Sequence, residues 1–582
     1  MDRKIVKSGK EIKKRGLFVG IFLSIFALGT ILIFLIPTSI KITSNLSTRT
    51  EDGVNISFNV IEPNNGVEKK KAIIIAHGSA VNKEMMKSYS IELAAAGFMA
   101  VPYDMRGHGL SSGELNIESL VNDTKAIKSY LMSNRNDVDP DNIGFIGYSL
   151  GGEPGYQIVK EDNDFKCLIG IGAHVPEDIV KANSSRILNI LMIRGQFCEA
   201  TTLGELKEGM GIRLGLSPAK IDVNKLYGSF KEGNASKIYN DDNSDHLTSA
   251  WDQDMIREAR DWIINTFPDV RAVDENFYVN SRAIFVFIQL IGGMGLFFLI
   301  VETFSLKMIR SKEENVLKKD FQNESTTKLF TKVIIFSLAL GLPGIILMIP
   351  LVFFLPLTIA GIMIAVLFGQ AFALIVLFWR ISKKTTHSLS DIFKKSVKDQ
   401  NTDLARKVLL GIILAVIQYL ILYLSIGLNY MGIALSIYRI PWIPFYFIVS
   451  LLIFIVYGIL FHIILPKPSG NGFKALWNRV AINFEIMFIY IATYFLVLCV
   501  IINDYYFVMF LFLAIPILFL LAFNSAFLYE KTGNIITGAI VNAFIITILL
   551  GTLSPYMNII EIVIIFLGNR DLIAITPIFY IF

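Results

Sequence analysis

Cysteine is scarce, with three in 582 residues. Cys499 lies in an apolar run, and Cys167 and Cys198 are expected near opposite ends of neighbouring strands. That separation excludes an easy bridge, so there is no disulfide framework and cysteine usage does not fix the redox compartment. Charge is scarce too. Only 18% of residues are Asp, Glu, Lys or Arg, against about 25% in a soluble domain, so a large part of the chain must sit in lipid. The net charge of +5 lies in short loops beside apolar runs and forms no basic patch interleaved with aromatics, which excludes a nucleic-acid surface. Metal-binding spacing is missing as well. Asp241-Asp242-Asn243-Ser244-Asp245 lacks the glycine and closing glutamate of a calcium loop and reads as a solvated turn. Neither metal nor cofactor is expected.

What the chain has in quantity is apolar residues, 53% of the total, and they are unevenly placed. Residues 1–16 are basic, and residues 17–37 form an apolar run long enough to cross a bilayer. That run ends in Leu35-Ile36-Pro37-Thr38 without a small-residue cleavage site, which predicts an uncleaved anchor. Residues 45–270 are mixed and read as a soluble domain, and 283–582 are mostly apolar. Further spans are expected at about 283–306, 331–353, 356–379, 408–428, 443–465, 480–502, 506–528 and 534–553. A last stretch, 558–582, is interrupted by Asn569-Arg570-Asp571 and makes a tenth span if it crosses. Lysine and arginine gather in alternate loops, at Lys4, Lys13, Lys307, Lys319, Arg380, Lys395, Lys474 and Lys531, with Arg439 the main exception. This asymmetry predicts a cytoplasmic N-terminus and a soluble domain outside the cytoplasm. The bilayer is the expected partner; the oligomeric state is left open.

Within the soluble domain, apolar runs alternate with helical patterns. EDGVNISFNVIEP reads as a strand pair, and AIIIAHG (72–78), FMAVPYD (98–104), IGFIGYS (143–149), KCLIGIGA (166–173) and ILNILMIRG (187–195) read as further strands. Strands separated by helices predict a mostly parallel sheet with helices on both faces. The sharpest motif is Gly147-Tyr148-Ser149-Leu150-Gly151, a G-x-S-x-G placed where a strand becomes a helix. A serine on such a turn projects its hydroxyl above the sheet edge.

Together with His77-Gly78 after the third strand and Asp104-Met105-Arg106-Gly107-His108-Gly109 after the fourth, this region resembles the α/β-hydrolase superfamily, in particular its serine-aminopeptidase and monoacylglycerol-lipase-like branch. The resemblance implies the α/β-hydrolase fold, joined here to an all-α polytopic membrane region. It implies Ser149 as nucleophile and the backbone amides of Ser79 and Leu150 as the oxyanion hole. The family's chain order is Ser, acid, His. His246 alone lies between the last expected strand and the final helix, so it is the expected base. The acid should follow the 187–195 strand. The usual aspartate position holds Cys198, and the expected acid is the next residue, Glu199, with a Ser-His dyad or an acid from elsewhere as alternatives. These roles imply cleavage of a lipid or small acyl ester through an acyl-enzyme; a peptidase of the same fold, or a domain that only binds or senses, are the other readings. The apolar residues of 200–234 are at helical spacing, which favours core over a lid.

Overall fold

The computed structural model describes residues 2–64, 69–182, 186–309, 325–353, 355–397, 404–466, 470–502 and 505–557. The tail 558–582, and with it the tenth span expected there, lies outside the described residues.

Ala72 and Ile74 of strand β3 (Lys70–Ala76) point to one face of a sheet, and Ile73 and Ile75 point to the other. Both faces are buried, which is why this strand reads as a continuous apolar run and not an alternation. One face carries Ile127, Leu131 and Ile158, from helices α3 (Leu120–Asn134) and α4 (Gly152–Glu161). The other carries Tyr89 and Trp262, from α2 (Lys87–Ala95) and α6 (Gln253–Thr266). Seven more strands complete the sheet: β1 (Ile40–Arg49), β2 (Asn55–Pro63), β4 (Met99–Tyr103), β5 (Val138–Tyr148), β6 (Phe165–Ile171), β7 (Asn189–Phe197) and β8 (Ser236–Asp245). Their order is β1-β2-β4-β3-β5-β6-β7-β8. Pairing is antiparallel as far as β4 and parallel from there on. The carboxyl ends of six adjacent parallel strands therefore gather along one edge.

Two expectations are corrected. The hairpin partner of β2 is the preceding segment β1, an edge strand with mostly exposed, polar residues and hence little hydrophobic signal. Asp241–Asp245 is not a solvated turn. It extends β8 alongside β7, with Asp241 and Ser244 buried. The apolar residues of 200–234 contribute α5 (Leu203–Leu214), started by a Thr202–Glu205 capping box, and its Leu206 and Met210 are buried in the sheet core.

The remaining helices are α1 (Asp2–Leu35), α7 (Val279–Met308), α8 (Thr326–Phe353), α9 (Thr358–Ser382), α10 (Leu389–Val397), α11 (Leu404–Leu422), α12 (Ile443–Ile459), α13 (Phe473–Ile502), α14 (Tyr506–Thr532) and α15 (Ile535–Leu553). Among the described residues, nine helices are long and apolar enough to cross a membrane, and α10 is the short one left out. The basic N-terminal residues and the first span form one continuous helix. α1 and α7 meet through small residues: a Cβ at Gly29 would lie 2.6 Å from the Gln289 amide nitrogen, and one at Gly292 would lie 2.4 Å from that of Phe26.

The sheet domain is tied to the membrane helices by polar contacts at their loops. Asn82 exchanges a pair of hydrogen bonds with Gly432, at 2.6 and 2.9 Å. Tyr556 donates its amide to Gly107 O at 2.7 Å and accepts from the Leu115 amide at 2.8 Å. Arg439 is buried and donates to the carbonyls of Gly107 and Gly109. The segments held in this way, 77–82 and 105–115, follow β3 and β4 along the carboxyl edge of the sheet.

Candidate active site

β5 ends at Tyr148, and the chain turns at once into a short 3-10 segment and then α4. The turn requires Ser149 at φ +53°, a conformation rare for a residue with a Cβ. Glycines allow it. A Cβ at Gly147 would lie 2.2 Å from Gly151 O, and one at Gly151 would lie 2.6 Å from His77 O. The Ser149 hydroxyl stands at the carboxyl edge of the sheet, 3.0 Å from His246 Nε2.

His246 follows β8 directly. Its carbonyl accepts the Tyr148 hydroxyl at 2.7 Å, and the two rings stack at 5.2 Å. Gly172, at φ +55° after β6, lies against the imidazole: a Cβ there would come within 2.7 Å of Nδ1. Sequence reasoning missed Gly172, whose one signal is a glycine closing an apolar strand. Burial lowers the His246 pKa to about 4, against the opposing pull of Glu199 and Asp245. The ring is therefore neutral at physiological pH, the state that can accept a proton.

The other ring nitrogen faces sulfur. Cys198 Sγ lies 3.4 Å from His246 Nδ1, and 3.4 Å from Thr201 Oγ1. Glu199, the expected acid, bonds elsewhere: its Oε2 accepts the backbone N–H of His246 at 3.2 Å, and the hydrogen bond described at Nδ1 is the one with Cys198. Adjacent residues leaving a strand point in different directions. The register shift between Gly195 and Phe197 then brings Cys198, and not its neighbour, under the ring. The glycine is needed there, since a Cβ at Gly195 would lie 2.2 Å from Ser244 O. Burial raises the Cys198 pKa, and burial likewise raises that of Glu199. The imidazole thus rests on a neutral thiol. With Nε2 accepting from Ser149, Nδ1 carries the ring proton and donates it to sulfur.

The loop carrying Ser79 packs beside the turn, where a Cβ at Gly78 would lie 3.1 Å from Ser149 Cβ. Leu150 follows the serine directly. His77 fastens this loop from within. Its Nε2 accepts the Met105 amide at 3.1 Å, so Nδ1 donates to Gly78 O at 2.6 Å. Burial lowers its pKa to about 4. Asp104 accepts from Lys83 Nζ at 2.6 Å and from the Leu110 amide at 2.9 Å, closing the second loop. His174 is largely exposed. No group of three or more metal-ligating side chains occurs among the described residues.

A sequence model of the family described as serine aminopeptidase, S33, matches residues 67–214. The sheet domain has the α/β-hydrolase fold. The match spans Ser79, Ser149, Leu150, Cys198 and Glu199 and stops before His246. An uncharacterized 31.7 kDa protein of Escherichia coli is 26% identical over 200 residues, 33% of this chain and 68% of that protein. An uncharacterized protein of Mycobacterium tuberculosis is 31% identical over 80 residues, 14% of this chain and 28% of that one. Similar solved structures include the Pyrococcus furiosus esterase Pf2001, at 17% identity and a TM-score of 0.31, covering 39% of this chain and 92% of the esterase. Another is an alpha-beta serine hydrolase homologue from Coxiella burnetii, at 15% identity and a TM-score of 0.30, covering 39% of this chain and 97% of that one. The family match supports a hydrolase, and the nine apolar helices make the chain a multi-pass membrane protein.

Proposed function

We propose that the chain is a membrane-held serine hydrolase that cleaves acyl esters close to the bilayer surface. The observation that carries this reading is the 3.0 Å approach of Ser149 Oγ to the neutral, buried His246 imidazole. His246 Nε2 takes the hydroxyl proton as Ser149 attacks the carbonyl carbon. The Ser79 and Leu150 amides hold the oxyanion. His246 then returns the proton to the departing alcohol, and water activated by the same base releases the acyl group from Ser149.

Cys198 fills the role that a carboxylate ordinarily has. It holds the Nδ1–H tautomer but brings no negative charge to stabilise the imidazolium. That favours a slow enzyme, and it also lends support to a second reading, in which the domain captures an acyl group and turns it over too slowly for metabolism. The location supports a substrate of low polarity. Ile359 of α9 and Met557 join the same apolar cluster as the sheet core, with Ala80 and Leu150 packed on it.

An extracytoplasmic domain fits the lysine and arginine asymmetry. The exception, Arg439, is accounted for by its bonds to Gly107 and Gly109, which commit its charge to the domain contact. Protease shaving of intact cells tests this: cutting within 37–282 is expected, and cutting within 307–330 with 37–282 spared contradicts it. Activity is tested on the reconstituted full chain with p-nitrophenyl esters of graded acyl length and with aminoacyl nitroanilides. Ester hydrolysis that Ser149→Ala abolishes is expected; preference for the anilides makes the chain a peptidase.

A further inference from the structure

Where the hydrolase domain meets the membrane helices, a cavity of about 320 Å³ opens between the end of α1, the start of α7 and the segment after α11. Its lining includes Ile33, Ile36, Pro37, Asn429 and two cations, Lys87 and Arg282, and no carboxylate. Arg282 lies in the first turn of α7 and is 7% exposed. Its guanidinium donates to Ile33 O at 3.1 Å, Ile36 O at 2.9 Å and Asn429 Oδ1 at 3.0 Å. These acceptors are neutral, and among the described residues no carboxylate lies within ion-pair distance of Arg282. Lys87 reaches in from the hydrolase domain. It donates to Leu428 O and to Glu84 at 3.4 Å, a long ion pair on a carboxylate that Asn59 also shares. Burial lowers the Lys87 pKa, Glu84 opposes that, and the Arg282 charge adds to it.

A buried guanidinium whose nearest acting carboxylate, Glu92, lies beyond ion-pair contact is costly, and a second cation in the same cavity increases the cost. An anion in the cavity relieves both. The walls say what kind of anion. Ile33, Ile36 and Pro37 close the first membrane span, and Phe34 beside them is 67% exposed. The cavity therefore combines apolar walls from the end of the first span and from β1 with one cation from the hydrolase domain, Lys87, and one from α7, Arg282.

We propose that this cavity is a binding site for the phosphodiester headgroup of an anionic membrane lipid, held by Lys87 and Arg282 with its acyl chains along α1. The lipid ties the hydrolase domain to the first two spans at a point remote in sequence from the Arg439 contact. The site does not depend on the activity of Ser149.

Native mass spectrometry of the full chain, titrated with phosphatidylglycerol or with phosphatidylcholine of the same acyl chains, tests the proposal. The wild type is expected to bind phosphatidylglycerol about tenfold more tightly than phosphatidylcholine. Lys87→Met loses that preference and Lys87→Arg keeps it. Ser44→Glu, on an exposed position of β1 that lines the cavity, adds an anion without removing a bond and also loses the preference. Millimolar inorganic phosphate leaves the wild-type preference unchanged. Equal binding of the two lipids by wild type overturns the proposal, as does an unchanged preference in folded Ser44→Glu. Displacement of the lipid by inorganic phosphate overturns it too, because the ligand is then a free anion.

Discussion

The hydrolase domain and the membrane region both bury many polar side chains, and they use them differently. In the membrane region several such groups find local partners, although the buried Asn483 amide has none among the described residues. Gln418 and Asn524 exchange two bonds of 3.0 Å, Gln370 donates to Ile486 O and accepts from Tyr457, and His462 bonds Ser525 and stacks on Tyr529 at 4.1 Å. Each contact joins two helices, which is the use expected where water cannot satisfy a polar group. In the hydrolase domain His77, Asp104, Ser149, Cys198 and His246 come from five separate strand ends and gather along one edge. Dispersed pairs hold helices together, whereas convergence on a strained serine gives a site that can do chemistry.

The contrast can be broken most sharply at Ser149. Ser149→Ala is expected to lower ester hydrolysis by about 10³-fold or more while leaving the melting temperature within a few degrees. A fall of less than tenfold would put the chemistry elsewhere. Arg439→Ala takes the Arg439 donor from Gly109 O and leaves Gly107 O with the Tyr556 amide alone, so thermal unfolding should lose about 1–3 kcal/mol, with the hydrolase domain becoming the first region cut by added protease. Unchanged protease sensitivity would mean that the two regions are not held by this residue.

Cys198→Asp supplies the missing negative charge and should raise kcat/KM at pH 7 about tenfold or more, equivalent to 1.4 kcal/mol or more of barrier. The same variant sharpens the pH dependence. His246, with its pKa lowered to about 4, stays neutral and competent until the pH falls toward that value, so the wild-type acid limb lies near pH 4. A carboxylate beside the ring favours the imidazolium, raises that pKa and moves the limb upward. Glu199→Gln should change the rate less than threefold, since its bond is to a backbone amide. The smallest effect belongs to the membrane pairs: Gln418→Leu should cost about 0.6 kcal/mol in unfolding and leave hydrolysis untouched.

Much of this arrangement was legible in the residues. The alternation of apolar runs with helical patterns pointed to a mostly parallel sheet, and nine spans were countable from hydropathy. Gly147-Tyr148-Ser149-Leu150-Gly151 and the position of His246 pointed to one edge of the sheet, because a glycine-bracketed turn and chain order are local signals. The partner of Nδ1 was not readable in the same way. Spacing pointed to position 198, chemistry asked for a carboxylate, and the choice between Cys198 and Glu199 rests on which side chain the shifted β7–β8 register turns toward the ring. Gly172 and Arg439 escaped for a related reason: each matters through a neighbour far away in sequence, His246 for one and Gly107 for the other. β1 escaped because an exposed edge strand has little apolar pattern to read.

The central claim is that Ser149 is a nucleophile activated by His246. Treating the reconstituted full chain with a fluorophosphonate, then digesting it and mapping the adduct by mass spectrometry, tests this directly. A single adduct on the peptide containing Ser149, lost in His246→Ala and formed faster in Cys198→Asp, is the expected result. A folded wild-type chain that takes up no probe, or takes it up on another residue, would contradict it.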